Sequence, residues 1–470
     1  MTRRQVVVVG GGLSGVAAAI ALRDAGLGVT VLESRGWLGG VASSYARGEM
    51  TIDNGQHVFL RCCTSYRELL ARLGGTDSVA IQDRFDVTVL SAAGQARLRR
   101  SALPSPLHLA RALAAYRPLS LRERASVGRA ALAFARADPA SPELDRWRLG
   151  DWLAARGQGE GARRRLWDLF IVSTLNIAGD DASVPLAATV IKTALLGRND
   201  AADIGIAMIP LGELHGAAAA DTLSRLGAQV CLRSAAVAIE PGAGGRFRVE
   251  VGGRGDAAGS VIDADGVVLA VPAERAAGLG AGAGIEQAPG WNDIGVSPIV
   301  NVHVVYDRRV MTLPFAAAVD SPVQWVFDKT RQAGLTAGQY LAVSLSAADG
   351  YADMPTPELR AMFLPALERL FPAAANASVQ DFFVTRERRA TFRQAPGCSA
   401  LRPGAATSVP GLTLAGAWTN TGWPDTMEGA VRSGNSAAQE LIRQLARLPL
   451  AAESAPRGPA QLDAAGTGAA

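Results

Sequence analysis

The stretch from Val6 to Glu33, VVVVGGGLSGVAAAIALRDAGLGVTVLE, constrains the fold more than any other part of the chain. Four consecutive valines predict a parallel strand buried on both faces. Gly10, Gly12 and Gly15 form a GxGxxG turn, Val16 to Ala25 reads as a helix of small residues, and Val29 to Leu32 is a second strand ending at Glu33. Gly10 permits the tight turn, Gly12 lets a pyrophosphate approach the backbone, and Gly15 lets helix and strand pack closely. The helix N-terminus offers N–H groups to phosphates, and Leu13 and Ser14 of the turn are expected beside the cofactor with it. Glu33 lies 18 residues after Gly15, where a carboxylate accepts hydrogen bonds from a ribose diol. The unit predicts a dinucleotide-binding α/β domain.

The next residues choose the dinucleotide. Ser34 and Arg35 lead through RGWLGG into a second glycine pair, Gly39 and Gly40, followed by Val41. A nicotinamide domain has no need of that pair. A chain that encloses FAD does, because a second pass of backbone then runs beside the pyrophosphate. The expected cofactor is FAD.

A length of 470 residues suggests roughly two or three domains. The net charge is +4 and the pI about 9.1, yet only two of the 47 basic residues are lysines, Lys192 and Lys329. Such an arginine bias reflects a GC-rich genome, and no basic run is interleaved with aromatics, so nucleic acid is not an expected partner. Cys62, Cys63, Cys231 and Cys398 have neither metal spacing nor a disulfide-framework pattern; no metal is expected, and a reducing cytoplasm suits them. Arg3 and Arg4 before an apolar run imitate a secretion signal, but cleavage there would remove the glycine turn. No uncharged apolar run reaches the roughly 18 to 20 residues of a membrane span.

Thr51 to Leu60 (TIDNGQHVFL) reads as a turn at Asp53, Asn54 and Gly55 running into a strand through Gln56 and His57. Gly55 would let backbone approach a flat ring. His57 is either a histidine satisfied within the core or a flavin-facing acid/base.

At this point the chain resembles a family. The fingerprint, the glycine pair and DNGQH are similar to the hydroxysqualene dehydroxylases, also called squalene-associated FAD-dependent desaturases, within the amine oxidase and phytoene desaturase superfamily. Three later stretches carry the narrower match: WDLFIVSTLN at Trp167 to Asn176, the pair PIVNVHVVYD and PVQWVFDK at Pro298 to Asp307 and Pro322 to Lys329, and TMEGAVRSG at Thr426 to Gly434. Alternation in the first of the pair puts Val300, Val302, Val304 and Tyr306 on one sheet face and Asn301 and His303 on the other, where His303 reads as a plain sheet residue.

By the resemblance, Gly416 and Ala417 end a strand beside the ribityl chain, with Ala417 standing where an acid is common. The resemblance also places Thr426, Met427, Glu428 and Ala430 at a helix N-terminus aimed at the flavin. Ala236 falls on a strand passing the adenine. The implied fold is a Rossmann-like FAD domain of the glutathione-reductase type with an inserted α+β substrate domain. The FAD domain would comprise residues 1–75, 205–275 and 396–445, the substrate domain 76–204 and 276–395, and 451–470 a disordered tail.

The implied activity is reduction of the allylic alcohol hydroxysqualene to squalene by reduced FAD, in bacterial squalene and hopanoid synthesis. His57 is the first choice of proton donor and Glu428 the second. Within the same superfamily the alternatives are a carotenoid or polyene desaturase and an amine oxidase; a non-catalytic isoprenoid-binding escort is a third class. The expected partner is an isoprenoid small molecule. Oligomeric state is not legible. Residues 102–136 carry six arginines and a single acid, Glu123, among apolar residues. They read either as a solvated face or as an element lying on the inner face of a membrane.

Overall fold

The computed structural model describes residues 3–447; the tail expected over 451–470 lies outside the described residues. The four valines belong to β1 (Gln5–Val9), which pairs in parallel with β2 (Gly28–Leu32) on one side and with Gly266–Leu269 on the other. Gln229–Cys231 and Leu412–Leu414 complete a five-stranded parallel sheet. Both faces of β1 are covered: Val6 and Val8 enter one apolar core and Val7 and Val9 another. This is why the run shows no polar alternation.

Helix α1 (Leu13–Asp24) covers one face, and its run of small residues admits the C-terminal helix Met427–Arg447 at close range. Gly434 is part of that fit, since a Cβ there would run into the carbonyl oxygen of Ser14. A three-stranded antiparallel layer, Ser234–Pro241, Phe247–Gly253 and Val261–Ala264, stands beside the sheet.

The stretch Gln229 to Pro241 forms two strands, Gln229–Cys231 and Ser234–Pro241. Arg233 takes φ +51° and its N–H donates to the Arg35 carbonyl, so the chain leaves the parallel sheet and enters the antiparallel layer. The helix Val184–Val190 continues as a wider stretch with i→i+5 hydrogen bonds through Ile191–Leu195.

The second sheet has seven strands, in the order Val379–Phe392, Val296–Tyr306, Gln339–Leu345, Trp325–Asp328, Phe315–Ala318, Asp86–Ser91 and Gly94–Arg99. Its face bearing Val300, Val302, Val304 and Tyr306 shares a core with Leu359, Phe363 and Leu367 of the helix Thr356–Leu370. The opposite face bears His303, which hydrogen-bonds Tyr340 and Thr385 and stacks on Phe383. Burial pushes this imidazole down to about 3, so it is a neutral core residue.

Helices α2 (Thr64–Arg72), α3 (Ala110–Ala115) and α4 (Leu121–Arg136) follow the crossover between β1 and β2. A capping box between Ser120 and Glu123 starts α4 and uses up the only acid of the arginine-rich stretch. Among the described residues no helix is long and apolar enough to cross a membrane.

Candidate functional site

The site begins at the fingerprint turn. Gly10 has φ +106°, and a Cβ on Gly15 would collide with the Gly10 carbonyl. Gly12 differs: its φ is −72°, and the nearest atom to an added Cβ is Gly40 Cα at 3.9 Å. Neither conformation nor packing therefore requires glycine at Gly12, which leaves an approaching ligand as the reason. Leu13 and Ser14 are buried in the first turn of α1. Glu33 is folded back onto the turn: Oε2 accepts from Gly11 N at 2.7 Å, and Oε1 from Arg35 N at 2.7 Å and Ser34 Oγ at 3.1 Å.

The second glycine pair comes alongside. Gly12 and Gly39 form a parallel bridge, with Gly39 N donating to Gly11 O at 2.9 Å. Gly39 and Gly40 both have positive φ, and Arg35 donates to the Gly40 carbonyl. Val41 is 41% exposed, leaving this rim open. Ala236 is buried, and its carbonyl already accepts from Arg275.

Beyond the rim the chain reaches Gly55, Gln56 and His57. The His57 Nδ1 lies 3.1 Å from the Gly55 carbonyl, which places the proton on Nδ1 and leaves Nε2 an acceptor. Burial pushes this imidazole below the ordinary histidine value, so the ring is neutral and its one N–H is engaged. Gln56 Nε2 and Asn301 Oδ1 are buried without a protein partner. Beside them, Gln56, His57, Phe327, Asp328, Lys329 and Gln332 line a pocket. Lys329 Nζ pairs with buried Asp53 at 2.9 Å, and Asp53 also accepts from Ser44 Oγ and Leu211 N. His215 is a structural neighbour: its Nε2 meets Tyr66 OH at 2.7 Å, and burial pushes the ring down to about 4.

The chain returns at Gly416, whose N–H donates to Ser433 Oγ of the C-terminal helix at 2.8 Å. The Ala417 carbonyl accepts from Arg402. Thr426 caps the helix, its Oγ1 accepting from Gly429 N at 3.2 Å and its carbonyl from Ala430 N. Met427 and Glu428 occupy the first turn, where N–H groups have no acceptor within the helix.

The Glu428 side chain corrects an expectation. It is 1% exposed and turned away from this terminus: Oε2 accepts from Tyr66 N at 2.7 Å, Oε1 from Ser65 N at 3.2 Å, and Arg432 pairs with it at 2.6 Å. It caps α2 from a distant part of the chain. A carboxylate committed to two N–H donors and a guanidinium is not placed as a proton donor.

Two groups escaped the sequence reading. Lys329 stood in a quoted motif as one of only two lysines, a rarity that could have singled it out. Asp425, two residues before Met427, is half-buried, and burial pushes its carboxyl up to about 6.

These residues suit FAD. Space is open at Gly12, and Gln56 Nε2 and Asn301 Oδ1 are buried polar atoms with no protein partner. Gly12, Gly39 and Gly40 would hold the pyrophosphate, Glu33 the ribose, and the segment at Gly55 together with the helix start at Met427 the ring.

A model of the family described as flavin containing amine oxidoreductase matches residues 13–442. Hydroxysqualene dehydroxylase of Rhodopseudomonas palustris is 31% identical over 443 residues, spanning 93% of this chain and 98% of the relative. Zeta-carotene desaturase of a Synechocystis species is 24% identical over 487 residues, 95% of this chain and 99% of the relative. The solved structure of cyclohexylamine oxidase from Brevibacterium oxydans shares the fold, with a TM-score of 0.72 at 21% identity over 95% of this chain and 100% of that one. The chain therefore belongs to the flavin-containing amine oxidoreductase family and is an FAD-dependent oxidoreductase.

Proposed function

We propose that the protein reduces hydroxysqualene to squalene, in bacterial squalene and hopanoid synthesis. The observation that carries this reading is the likeness to hydroxysqualene dehydroxylase at 31% identity along 93% of the chain. An allylic hydroxyl leaves readily only when protonated; it then departs as water and leaves a delocalised cation. Reduced FAD, when bound, supplies the hydride that quenches it. The chain's own residues must hold an apolar substrate, exclude water and place one proton. His57, neutral and with Nε2 free to accept, suits binding of the substrate hydroxyl better than donation to it.

Mixing anaerobically reduced protein with hydroxysqualene is expected to yield squalene. Oxidation of phytoene or of amines by the oxidised protein, with no squalene formed, would instead favour a desaturase or an amine oxidase. His57→Ala is expected to bind FAD and to lower the rate of squalene formation; an unchanged rate removes His57 from the reaction.

A water-insoluble substrate favours a membrane-facing element, and α4 is the candidate. Its exposed face places Leu121, Ala125, Gly128, Leu132 and Ala135 in one stripe, with Leu121 78% and Leu132 51% exposed. Arg122, Arg129 and Arg136 run beside the stripe, all exposed, with no exposed acid on the helix. Arginines facing outward around leucines suit an anionic lipid surface, and they oppose pairing with a second copy of the same face. At about 1 kcal/mol per basic residue, Arg122→Gln, Arg129→Gln and Arg136→Gln together should weaken binding to anionic vesicles about 100-fold. Wild-type protein that stays unbound in vesicle flotation would refute the contact.

A further inference from the structure

The loop after Trp418 ends at Asp425, immediately before the cap of the C-terminal helix. Asp425 N donates to Gln394 Oε1 at 3.1 Å, and Asp425 Oδ2 accepts from Phe392 N at 2.8 Å. Gln394 is fully buried; it donates to the Leu175 carbonyl at the end of the helix Asp168–Leu175, and its own carbonyl accepts from Ser183 N. Asp425 is thus fixed between the start of the C-terminal helix and the end of the helix Asp168–Leu175.

Its two oxygens are not equivalent. Oδ2 is held by a backbone N–H, which places a carboxyl proton on the other oxygen. Oδ1 accepts no hydrogen bond from the described residues and is not among the sealed polar atoms, so it lies at an open edge of the half-buried side chain.

We propose that Asp425 is the proton donor of the reduction, protonating the substrate hydroxyl from Oδ1; this rests on the dehydroxylase reading above. The substrate C–O bond breaks with its electron pair on oxygen, which takes the Asp425 proton and leaves as water. The hydride that forms the new C–H bond comes from reduced FAD, the reductant of the reaction. Solvent returns a proton to Asp425.

The surroundings lift this carboxyl above the ordinary carboxylate range. Burial raises it to about 6, against the lowering effects of the Phe392 N–H and of Arg402. Arg402 is the charged group that faces it, and its guanidinium is spent on the carbonyls of Ala417, Trp418, Thr419 and Trp423. Of the neighbouring charges, Arg393 pairs with Asp349 and Glu428 with Arg432. Because the protonated form is the active one, donation is fullest well below pH 6, is half lost near 6 and fades as pH rises further.

The test is Asp425→Asn, which keeps the size and an acceptor for Phe392 N. FAD titration and melting temperature should be unchanged. Single-turnover squalene formation by the reduced protein should fall at least about 100-fold and lose its decline above pH 6. Asp425→Glu should recover part of the rate. Independently of turnover, infrared difference spectra should show a protonated-carboxyl band titrating near pH 6 in the wild type and missing in the Asn variant. A variant that keeps the wild-type rate and pH profile, or that keeps the band, overturns the role of Asp425 alone. A wild-type protein that makes no squalene overturns the dehydroxylase reading and this role with it.

Discussion

Gly15→Ala is expected to give a protein that both loses FAD and is destabilised, whereas Gly12→Ala should fold normally and lose only the cofactor. The two positions lie in one turn, but their surroundings differ. A Cβ on Gly15 meets the Gly10 carbonyl, with Ala270 Cβ at 3.3 Å behind it, and neither is a flexible side-chain end that can move aside. Overpacking of that kind costs about 1–3 kcal/mol, and here it also displaces the fingerprint turn. At Gly12 the backbone already has φ −72°, which alanine adopts freely, and nothing lies within 3.9 Å. The added methyl occupies only the space a pyrophosphate needs. Melting of the apo-protein and titration with FAD separate the two effects. Wild-type FAD affinity in Gly12→Ala would show that the pyrophosphate does not approach there.

The second large effect is expected from Glu428→Ala, and it should be a loss of stability. Removing this carboxylate leaves Ser65 N and Tyr66 N without an acceptor at the start of α2. Losing a cap costs about 1 kcal/mol, and the buried Tyr66 N–H left unpaired about 1–3 more, so about 3 kcal/mol is expected. Arg432 is partly exposed and stacks on Trp423, so the broken ion pair adds little. Glu428→Gln, which keeps one acceptor oxygen, should lose about half as much. Urea unfolding of the apo-proteins measures both. Loss of squalene formation at wild-type stability would return Glu428 to the role of proton donor.

These contrasts also mark what was legible in the chain. The strand, glycine turn and helix of the opening stretch, the FAD they imply and the family could be read directly, because each depends on residues close in sequence. The missing Cβ at Gly15 is required by the Gly10 carbonyl, only five residues away. The alternation that put His303 opposite Val302 was readable for the same reason, since strand geometry is periodic.

Other features depend on long-range partners. Glu428 sits in a helix first turn in any local reading; that its side chain caps α2 follows from a contact across 362 residues. The break at Arg233 is set by the Arg35 carbonyl, and the neutral state of His57 by burial beneath distant elements. Asp425 is an ordinary loop acid until Phe392 and Gln394 close around it. The sequence by itself determined the glycine turn, the cofactor FAD and the family, because turns and strands are local. Only the tertiary structure decided which acids are paired, which stand free and which hold a proton, because burial and charge pairing depend on what the fold brings together.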